Sequence, residues 1–364
     1  MGGGGKQDDG PDVSIVVTSH NYGWCLRDAL DSALGQVGVR HEVIVVDDGS
    51  TDDSRSVLSE YDGVRTILQE NAGQAVAMNT GFAAARAAWI LFLDADDRLH
   101  PTACARALSR ARPGLSKVQF RLDVVDRAGI SLGYTHPGHS YDLPEGSVVP
   151  DLVRRGRYVT PMTSGNLYSR AALERVMPIQ DPRFATAGDG YLNTLVPFHG
   201  EVASLQESLG DYRLHGGNIW SMTRIDPSRI GAFVRHDEDR YRLIRAQEAG
   251  LGVRVVGHPG ERDWLHMRHR LAAQRLTGRD PVAEDFGRPR STLSLVLRAV
   301  LSLRGWRGRP SWRDGALAVW FVVVGLSRGR LLQRLLQVAY VPGSRGLLPG
   351  SLSRMVARLR PAGR

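Results

Sequence analysis

The first hundred residues alternate between short apolar runs and segments with helical spacing. Apolar, often β-branched runs occupy Val13–Val17, Glu42–Val46, Val64–Leu68 and Trp89–Leu93. Between them, apolar residues recur three and four positions apart, as in 26–34 and Gln74–Ala88. Buried runs of this length favour strands, and strands separated by helices favour a parallel sheet with helices on its faces.

The middle of the chain has a different pattern. Lys117–Asp126 and Ile130–Tyr134 flank the turn-like Arg127–Gly129, which predicts a hairpin. Helices are expected from Pro101 to about Ala111 and from Gly188, and short strands around Gly165–Tyr168, Glu201–Leu205 and Asp211–Leu214. A hairpin adds antiparallel pairs, so the sheet is expected to be mixed.

From about Asp226 the chain becomes helical, polar and rich in arginine. Helices are expected at Ile230–Ala249 and Trp264–Leu276, followed by short apolar or amphipathic segments at Ser291–Leu303, Gly315–Leu326 and Arg330–Val341. The longest apolar run, Gly315–Leu326, is too short to span a bilayer. These patterns predict a disordered leader (1–12), an α/β domain (13–225), a helical extension (226–290) and a basic amphipathic tail (291–364).

Charge is unevenly distributed along the chain. From Phe286 to Arg364 there are fifteen arginines, no lysine and one acidic residue, so this segment carries +14 and the remainder −5 of the total +9. Such asymmetry points to an anionic partner for the tail. The two cysteines, Cys25 and Cys104, are far apart in the sequence, which fits small buried side chains and a reducing compartment.

Polar clusters follow three of the predicted strands. They are Thr18–Asn21, Asp47–Ser50 and Asp94–Asp97. Ligands bind beyond the carboxyl ends of the strands in an open parallel sheet. The first strand does not lead into a G-x-G-x-x-G turn, which argues against a dinucleotide cofactor.

The cluster at Asp94, Asp96 and Asp97 places three carboxylates within four residues. Their mutual repulsion favours a bound cation, and oxygen ligands suit Mg²⁺ or Mn²⁺, which also hold substrate phosphates. Helix capping before Pro101 is the alternative, and it explains one of these aspartates but not three. At Asp47–Asp53 capping is an equally good explanation for the later residues, and less so for Asp47 and Asp48 at the strand end.

Five ordered blocks carry a resemblance to a known family. They read VSIVVTSHN, SALGQ, VIVVDDGSTDDS, NAGQAVAMNTGF and WILFLDADD. Together they resemble the family 2 inverting glycosyltransferases with the GT-A fold, closely over about residues 13–112 and more loosely to about residue 220. The resemblance implies a Rossmann-like mixed α/β sheet flanked by helices, followed here by a helical basic C-terminal extension.

The resemblance also implies roles for single residues. Donor-binding positions are Thr18, His20, Asn21, Asp47, Asp48, Asn71, Gly73, Asn79, Asp94 and Arg213. His20 stands where the family more often has tyrosine, which leaves the identity of the nucleobase open. Metal ligands are Asp96, Asp97 and His215, with the division of duties between Asp94, Asp96 and Asp97 unresolved.

Asp189 matches the family's catalytic base. It follows Gly188 where the family has Glu-Asp or Gly-Asp, so the first acid of that pair is absent here. A carboxylate at a helix N-terminus stays ionised and can accept a proton from an attacking hydroxyl, although capping alone is the alternative. His215, in the Tyr212–His215 element, is either a metal or diphosphate ligand or a structural residue.

The expected activity is inverting, metal-assisted sugar transfer from a nucleoside diphosphate sugar, with UDP favoured, to a saccharide or lipid-linked acceptor of the cell envelope. The alternatives are another nucleotidyl- or sugar-phosphate transferase, and a catalytically impaired protein that docks at a membrane. The tail suits either contact with an anionic membrane surface or packing on the rest of the chain. Nucleic acid is not expected as a partner. The expected location is the cytoplasm, including the inner membrane face.

Overall fold

The computed structural model describes residues 10–139, 141–218, 222, 224–282, 290–303 and 312–341. They form two compact units. The first comprises the described residues up to Ser147 together with Val159–Arg213, and the second comprises Val148–Tyr158 and the described residues from Leu214 onward. The second unit thus begins before residue 226 and combines the expected helical extension with the expected tail.

Four strands form the parallel half of the sheet in the first unit. They are β1 (Val13–Ser19), β2 (His41–Asp48), β3 (Arg65–Gln69) and β4 (Trp89–Asp94), in the spatial order β3-β2-β1-β4. All seven residues of β1 are buried, because both of its neighbours pair with it and helices cover the sheet. The expected parallel strands are confirmed, and their carboxyl ends lie at one edge.

Five more strands complete the sheet. They are β5 (Arg98–Leu99), β6 (Leu115–Val125), β7 (Ser131–His136), β8 (Asn166–Ser169) and β9 (Glu201–Arg213), and the order continues β4-β8-β6-β9-β5 with β7 paired to β6. The hairpin and the mixed sheet are confirmed. The expectation of two separate strands between residues 201 and 214 is wrong, since β9 is continuous over 13 residues.

Thirteen α-helices lie within the described residues. In chain order they are α1 (Gly23–Leu34), α2 (Ser54–Leu58), α3 (Gln74–Ala84), α4 (Ala103–Leu108), α5 (Val149–Arg155), α6 (Arg170–Leu173), α7 (Gly188–Leu195), α8 (Pro227–Ala246), α9 (Glu248–Leu251), α10 (Trp264–Thr277), α11 (Thr292–Ser302), α12 (Trp312–Leu326) and α13 (Gly329–Tyr340). The helix expected from Pro101 begins at Ala103, and β5 and α5 were not expected.

The core of the first unit lies between the sheet and its helices. Ile15 and Val17 of β1 and Leu91 of β4 pack in one cluster with Leu26 and Leu30 of α1. Cys25 and Cys104 are buried free cysteines, as expected.

The second unit has its own apolar core. Helices α8, α10, α12 and α13 contribute to one cluster of buried apolar side chains, which includes Phe233, Trp264, Leu271, Trp320 and Leu335. This shared core explains why the expected extension and tail form one unit. Among the described residues, no helix has both the length and the apolar character needed to cross a bilayer.

The apolar stripe that the sequence suggests for α13 lies mostly inside the second unit. Leu332, Leu335, Leu336 and Val338 are buried, while Leu331 is 50% exposed. Most of this stripe is therefore occupied by internal packing. Arg304 and Trp306, in the sequence of the expected tail, lie outside the described residues.

Candidate active site

An acidic cluster lies where β4 ends at the carboxyl edge of the parallel strands. Asp94 is the last residue of β4 and pairs in register with Thr18 of β1, while Asp96 and Asp97 follow in the next turn. Oxygen atoms of Asp94, Asp96 and Asp97 lie within 4.8 Å of one another. The three predicted metal-site carboxylates therefore share one small volume.

The cluster is fixed by hydrogen bonds from two distant segments. The Ser164 hydroxyl, in the short 3₁₀ turn before β8, donates to Asp97 over 2.6 Å and accepts from the Asp94 N–H over 3.1 Å. The backbone N–H of Arg213, at the end of β9, donates to the other oxygen of Asp97 over 3.0 Å. Asp97 is thus anchored on both oxygens.

Burial and like charge disfavour ionisation of the cluster. Burial, with the nearby charges of Asp96 and Asp189, raises the pKa of Asp94 to about 7. Burial and the charges of Asp96 and Asp94 also raise the pKa of Asp97 well above its usual range. A divalent cation would relieve this repulsion, and carboxylate oxygens are the ligands that Mg²⁺ and Mn²⁺ prefer. The donor set therefore fits a metal.

Asp189 approaches the cluster from α7. It lies in the first turn of that helix, where the helix dipole favours a carboxylate. Gln74, at the start of α3, donates to Asp94 over 2.9 Å and accepts from the Gly188 N–H over 3.3 Å. Gln74 therefore connects the acidic cluster to the helix that carries the predicted base.

Gln74 was missed by the sequence reading. It directly follows Gly73 within a block that carries the family resemblance. Its position next to a predicted donor-binding residue could have indicated a role in the site. Gly73 itself has φ +92, and a Cβ there would lie 2.8 Å from the carbonyl oxygen of Ala185. The N-terminus of α3 thus requires glycine to approach the segment before α7.

Asp48 organises the loop that follows β3. One of its oxygens accepts from the Gln69 amide over 2.7 Å and the Ala72 N–H over 2.9 Å, and the other from the Gly73 N–H over 2.8 Å. With three internal donors, this buried carboxylate holds the Asn71–Gly73 loop against β2. Contact with a nucleobase stays a prediction for Asp48.

The ends of β1 and β2 are joined by polar side chains. His20 Nδ1 lies 2.7 Å from the carbonyl oxygen of Asp48, and its ring also lies near the Asn71 amide. Asn21, at φ +60, accepts from the Thr51 N–H over 2.7 Å. The structure therefore brings His20, Asn21 and Asn71 to one rim.

A cavity of about 450 Å³ opens beside this rim. Its lining comprises Gly49, Arg55, Leu68, Gln69, Glu70 and Asn71. Arg55 donates to one oxygen of the buried Asp47 over 3.1 Å, and the other oxygen of Asp47 has no hydrogen-bond partner among the described residues. A cavity with both polar and apolar lining therefore adjoins the predicted donor-binding strand ends.

Three predicted residues have clear structural tasks. The Asn79 amide exchanges two hydrogen bonds with the backbone of Ile179, over 2.9 and 2.8 Å. The Arg213 guanidinium pairs with Asp28 and donates to the carbonyl oxygens of Asp96 and Arg127. In the second unit, His215 Nδ1 accepts a hydrogen bond of 3.3 Å from the Gly217 N–H. Ligand contacts for all three stay predictions.

Lys117 is a buried basic residue that the sequence did not predict as part of the site. Its Nζ donates to Thr160 over 2.9 Å, to Asn166 over 2.6 Å and to Asn193 over 2.7 Å. Asn193 lies one turn after Asp189 on α7, so Lys117 anchors that helix to β6. Burial lowers the pKa of Lys117 well below its usual range, while the charge of Asp189 opposes the shift.

Comparisons with known proteins agree with this architecture. Residues 14–175 match the model of glycosyl transferase family 2. An uncharacterized glycosyltransferase of Nostoc sp. is 35% identical over 215 residues, 57% of this chain and 66% of that protein. The succinoglycan biosynthesis protein ExoO of Rhizobium meliloti is 29% identical over 287 residues, 74% of this chain and 80% of ExoO.

A solved structure also shares the fold. S. aureus TarS 1-349 in complex with UDP superposes with a TM-score of 0.51 at 14% identity, covering 95% of this chain and 90% of that one. The mixed sheet with its flanking helices has the GT-A fold. Residues 14–175 of this chain form a glycosyl transferase family 2 domain. The expected fold class and family are thereby confirmed.

Proposed function

We propose that this protein transfers a sugar from a nucleoside diphosphate sugar to an acceptor hydroxyl, with inversion and with the help of a divalent metal. The observation that carries the proposal is the meeting of Asp94, Asp96 and Asp97 with Asp189 at the carboxyl edge of the parallel strands. Electrostatic repulsion within this set, seen in the raised pKa of Asp94, suits a site that receives positive charge with its ligand.

Asp96 and Asp97 would hold the metal, with Asp94 beside them. A Mg²⁺ or Mn²⁺ ion bound there supplies charge neutralisation for the diphosphate leaving group. Asp97 is oriented by Ser164 and by the Arg213 N–H, so its carboxylate needs little rearrangement. Gln74 keeps Asp94 at a fixed distance from the start of α7.

Asp189 would accept the proton of the acceptor hydroxyl. Its place in the first turn of α7 favours the ionised form that a base requires. Attack of the hydroxyl on the anomeric carbon, opposite the departing diphosphate, inverts that carbon in one displacement. The hydrogen bonds of Lys117 and Gln74 restrict movement of α7 and so preserve the position of Asp189.

The nucleoside is expected against the ends of β1 and β2. His20, Asn21 and Asn71 form a polar rim there, next to the cavity bordered by Arg55. Uridine is the first base to test, since TarS has been solved with UDP and with UDP-GlcNAc. A polysaccharide or glycolipid of the cell envelope is the proposed product class, since ExoO is named for succinoglycan biosynthesis.

The decisive experiment measures thermal stability with UDP, GDP, CDP and dTDP, each with and without Mn²⁺. A ligand at a hundred times its dissociation constant should stabilise the protein by about 2.7 kcal/mol. We expect one diphosphate to act in the presence of Mn²⁺, and Asp96→Asn to remove that response.

Asp123→Asn is a matched control, because Asp123 also lies on the sheet but its side chain belongs to the separate His100–Asp123–Asp211 group. It should retain the nucleotide response. If no diphosphate stabilises the folded protein with or without metal, the transferase proposal fails, and a catalytically impaired docking protein becomes the better explanation.

A further inference from the structure

The second unit carries an exposed apolar surface on two neighbouring helices. Leu293, Leu297 and Leu301 of α11 are 79%, 59% and 43% exposed. Val319, Val322 and Leu326 of α12 are 52%, 42% and 78% exposed. We call these six side chains the Leu–Val surface.

The six side chains belong to one continuous face. A Cβ on Gly325 of α12 would lie 2.4 Å from Val296 of α11, so the two helices are in close contact. Both helices bury their opposite sides in one cluster with α10, through residues such as Leu295, Phe321 and Leu271. Their exposed sides therefore face away from α10 together, and leucines spaced four residues apart on α11 form a ridge along that face.

This surface is unusual within the chain. It holds six of the sixteen exposed large apolar side chains among the described residues, whereas the others are spread over the rest of both units. Single exposed apolar residues need no explanation, but a contiguous group marks a contact site.

Arginines stand at one end of the Leu–Val surface. Arg328, Arg330 and Arg334 are exposed beside the turn that follows Leu326. The sequence between α11 and α12, residues 304–311, lies outside the described residues and contains three further arginines. From Ser291 to Val341 the sequence has eight arginines and one acidic residue, Asp314.

We infer that the Leu–Val surface docks on an anionic lipid bilayer, with its leucines and valines in the headgroup–acyl boundary and the flanking arginines on lipid phosphates. Apolar side chains bordered by cations are the pattern of interfacial helices, and each arginine near an anionic membrane adds to binding. A protein partner would require acidic groups placed against these arginines beside an apolar face, whereas an anionic membrane presents phosphates over its whole surface. The inference is independent of the proposed transfer reaction.

The test is flotation of the full chain with vesicles of phosphatidylcholine alone or mixed with phosphatidylglycerol. Binding should rise more than tenfold with the anionic lipid, because each arginine at the surface contributes about fivefold. The triple variant Leu297→Gln, Val322→Gln, Leu326→Gln should lose about tenfold or more in binding to the mixed vesicles.

A matched triple variant replaces Ile130, Leu132 and Val256 with glutamine. These side chains are 65%, 43% and 57% exposed, so they are equally apolar and accessible but lie elsewhere. This variant should float like the wild type. Equal losses in both variants would overturn the inference.

Two further measurements would show that something other than a membrane covers the Leu–Val surface. If light scattering shows a wild-type dimer that the first triple variant abolishes, a second copy covers the surface and the inference is wrong. If that variant instead lowers the melting temperature by several degrees without vesicles, residues 342–364 or another part of the chain cover it, which also overturns the inference. Unchanged mass and melting temperature, with lost flotation, support membrane docking. Nucleotide binding by the same samples reports separately on the proposed transferase activity.

Discussion

Two groups of buried charges, one in each unit, differ in how their charge is balanced. In the first unit, Asp94, Asp96 and Asp97 crowd together, and burial with the neighbouring negative charges raises the pKa of Asp94 and of Asp97. In the second unit, Asp237 and Asp263 both pair with Arg157, and Glu238 contacts His258 and His266.

The balanced group has its charges compensated by the chain itself. His266 is fully buried, yet hydrogen bonds to Asp237 and Glu238 outweigh burial and raise its pKa to about 9. Burial would raise the pKa of Glu238, but His258 and His266 lower it to about 2. The acidic cluster, whose charge the chain does not balance, is therefore the better candidate for a ligand site, and the balanced group fits a structural role.

Replacing the predicted base should have the largest effect on the first unit. Asp189→Asn keeps the shape of the side chain but removes its ability to accept a proton, so transfer should slow by about 10²–10⁴-fold. Single-turnover kinetics with the donor identified by the nucleotide screen measure this rate. Mn²⁺-dependent nucleotide binding should persist, and a variant that transfers sugar at the wild-type rate would exclude Asp189 as the base.

Removing the central cation of the balanced group should destabilise the second unit. Arg157→Met leaves Asp237 and Asp263 buried without their main partner, a change that typically costs about 3–5 kcal/mol. Hydrogen exchange of peptides from α8 and α10 measures the effect locally. Arg27→Met is the control, because the Arg27–Glu60 pair is exposed and should contribute little to stability. Similar losses in both variants would contradict the comparison.

The two groups should also respond differently to pH. For Asp94 the pKa in the folded protein, about 7, is above the ordinary 3.8, so its contribution to stability is fully present below about pH 4 and is lost as pH rises through 7. A shift of this size corresponds to at most about 4 kcal/mol. Hydrogen exchange in metal-free protein should therefore accelerate around β4 between these values, and Asp94→Asn or added Mn²⁺ should flatten the profile.

The second unit should keep its stability over most of that range. The raised pKa of His266 gives stability that is full below pH 6.5 and lost as pH rises through 9. The lowered pKa of Glu238 gives stability that is full above pH 4.5 and lost as pH falls through 2. The protection factors of amides in α8 and α10 should thus be highest between pH 4.5 and 6.5. His266→Gln should remove the loss of protection above pH 6.5. If that loss persists in the variant, His266 is not the group that causes it.

Much of the fold and the acidic centre could be predicted from sequence because their signals are local. An apolar run predicts each parallel strand, and the aspartates directly follow the run that forms β4. The continuous β9 could not be read in this way, because its middle, around Gln206 and Glu207, is polar and its register with β6 shifts there. Gln74, Ser164 and Lys117 were missed because each acts on partners distant in sequence.

Lys117 allows a smaller test of the comparison, since it is a buried amine whose three hydrogen-bond acceptors are neutral side chains. Lys117→Met leaves the oxygens of Thr160, Asn166 and Asn193 without this donor, which should cost about 1–3 kcal/mol. Because Asn193 shares α7 with Asp189, the turnover number should fall while the dissociation constant of the nucleotide stays unchanged. Lys117→Gln restores part of the donor capacity and should recover part of both losses. Should the methionine variant be destabilised yet turn over normally, Lys117 supports the fold of the first unit but does not position the base.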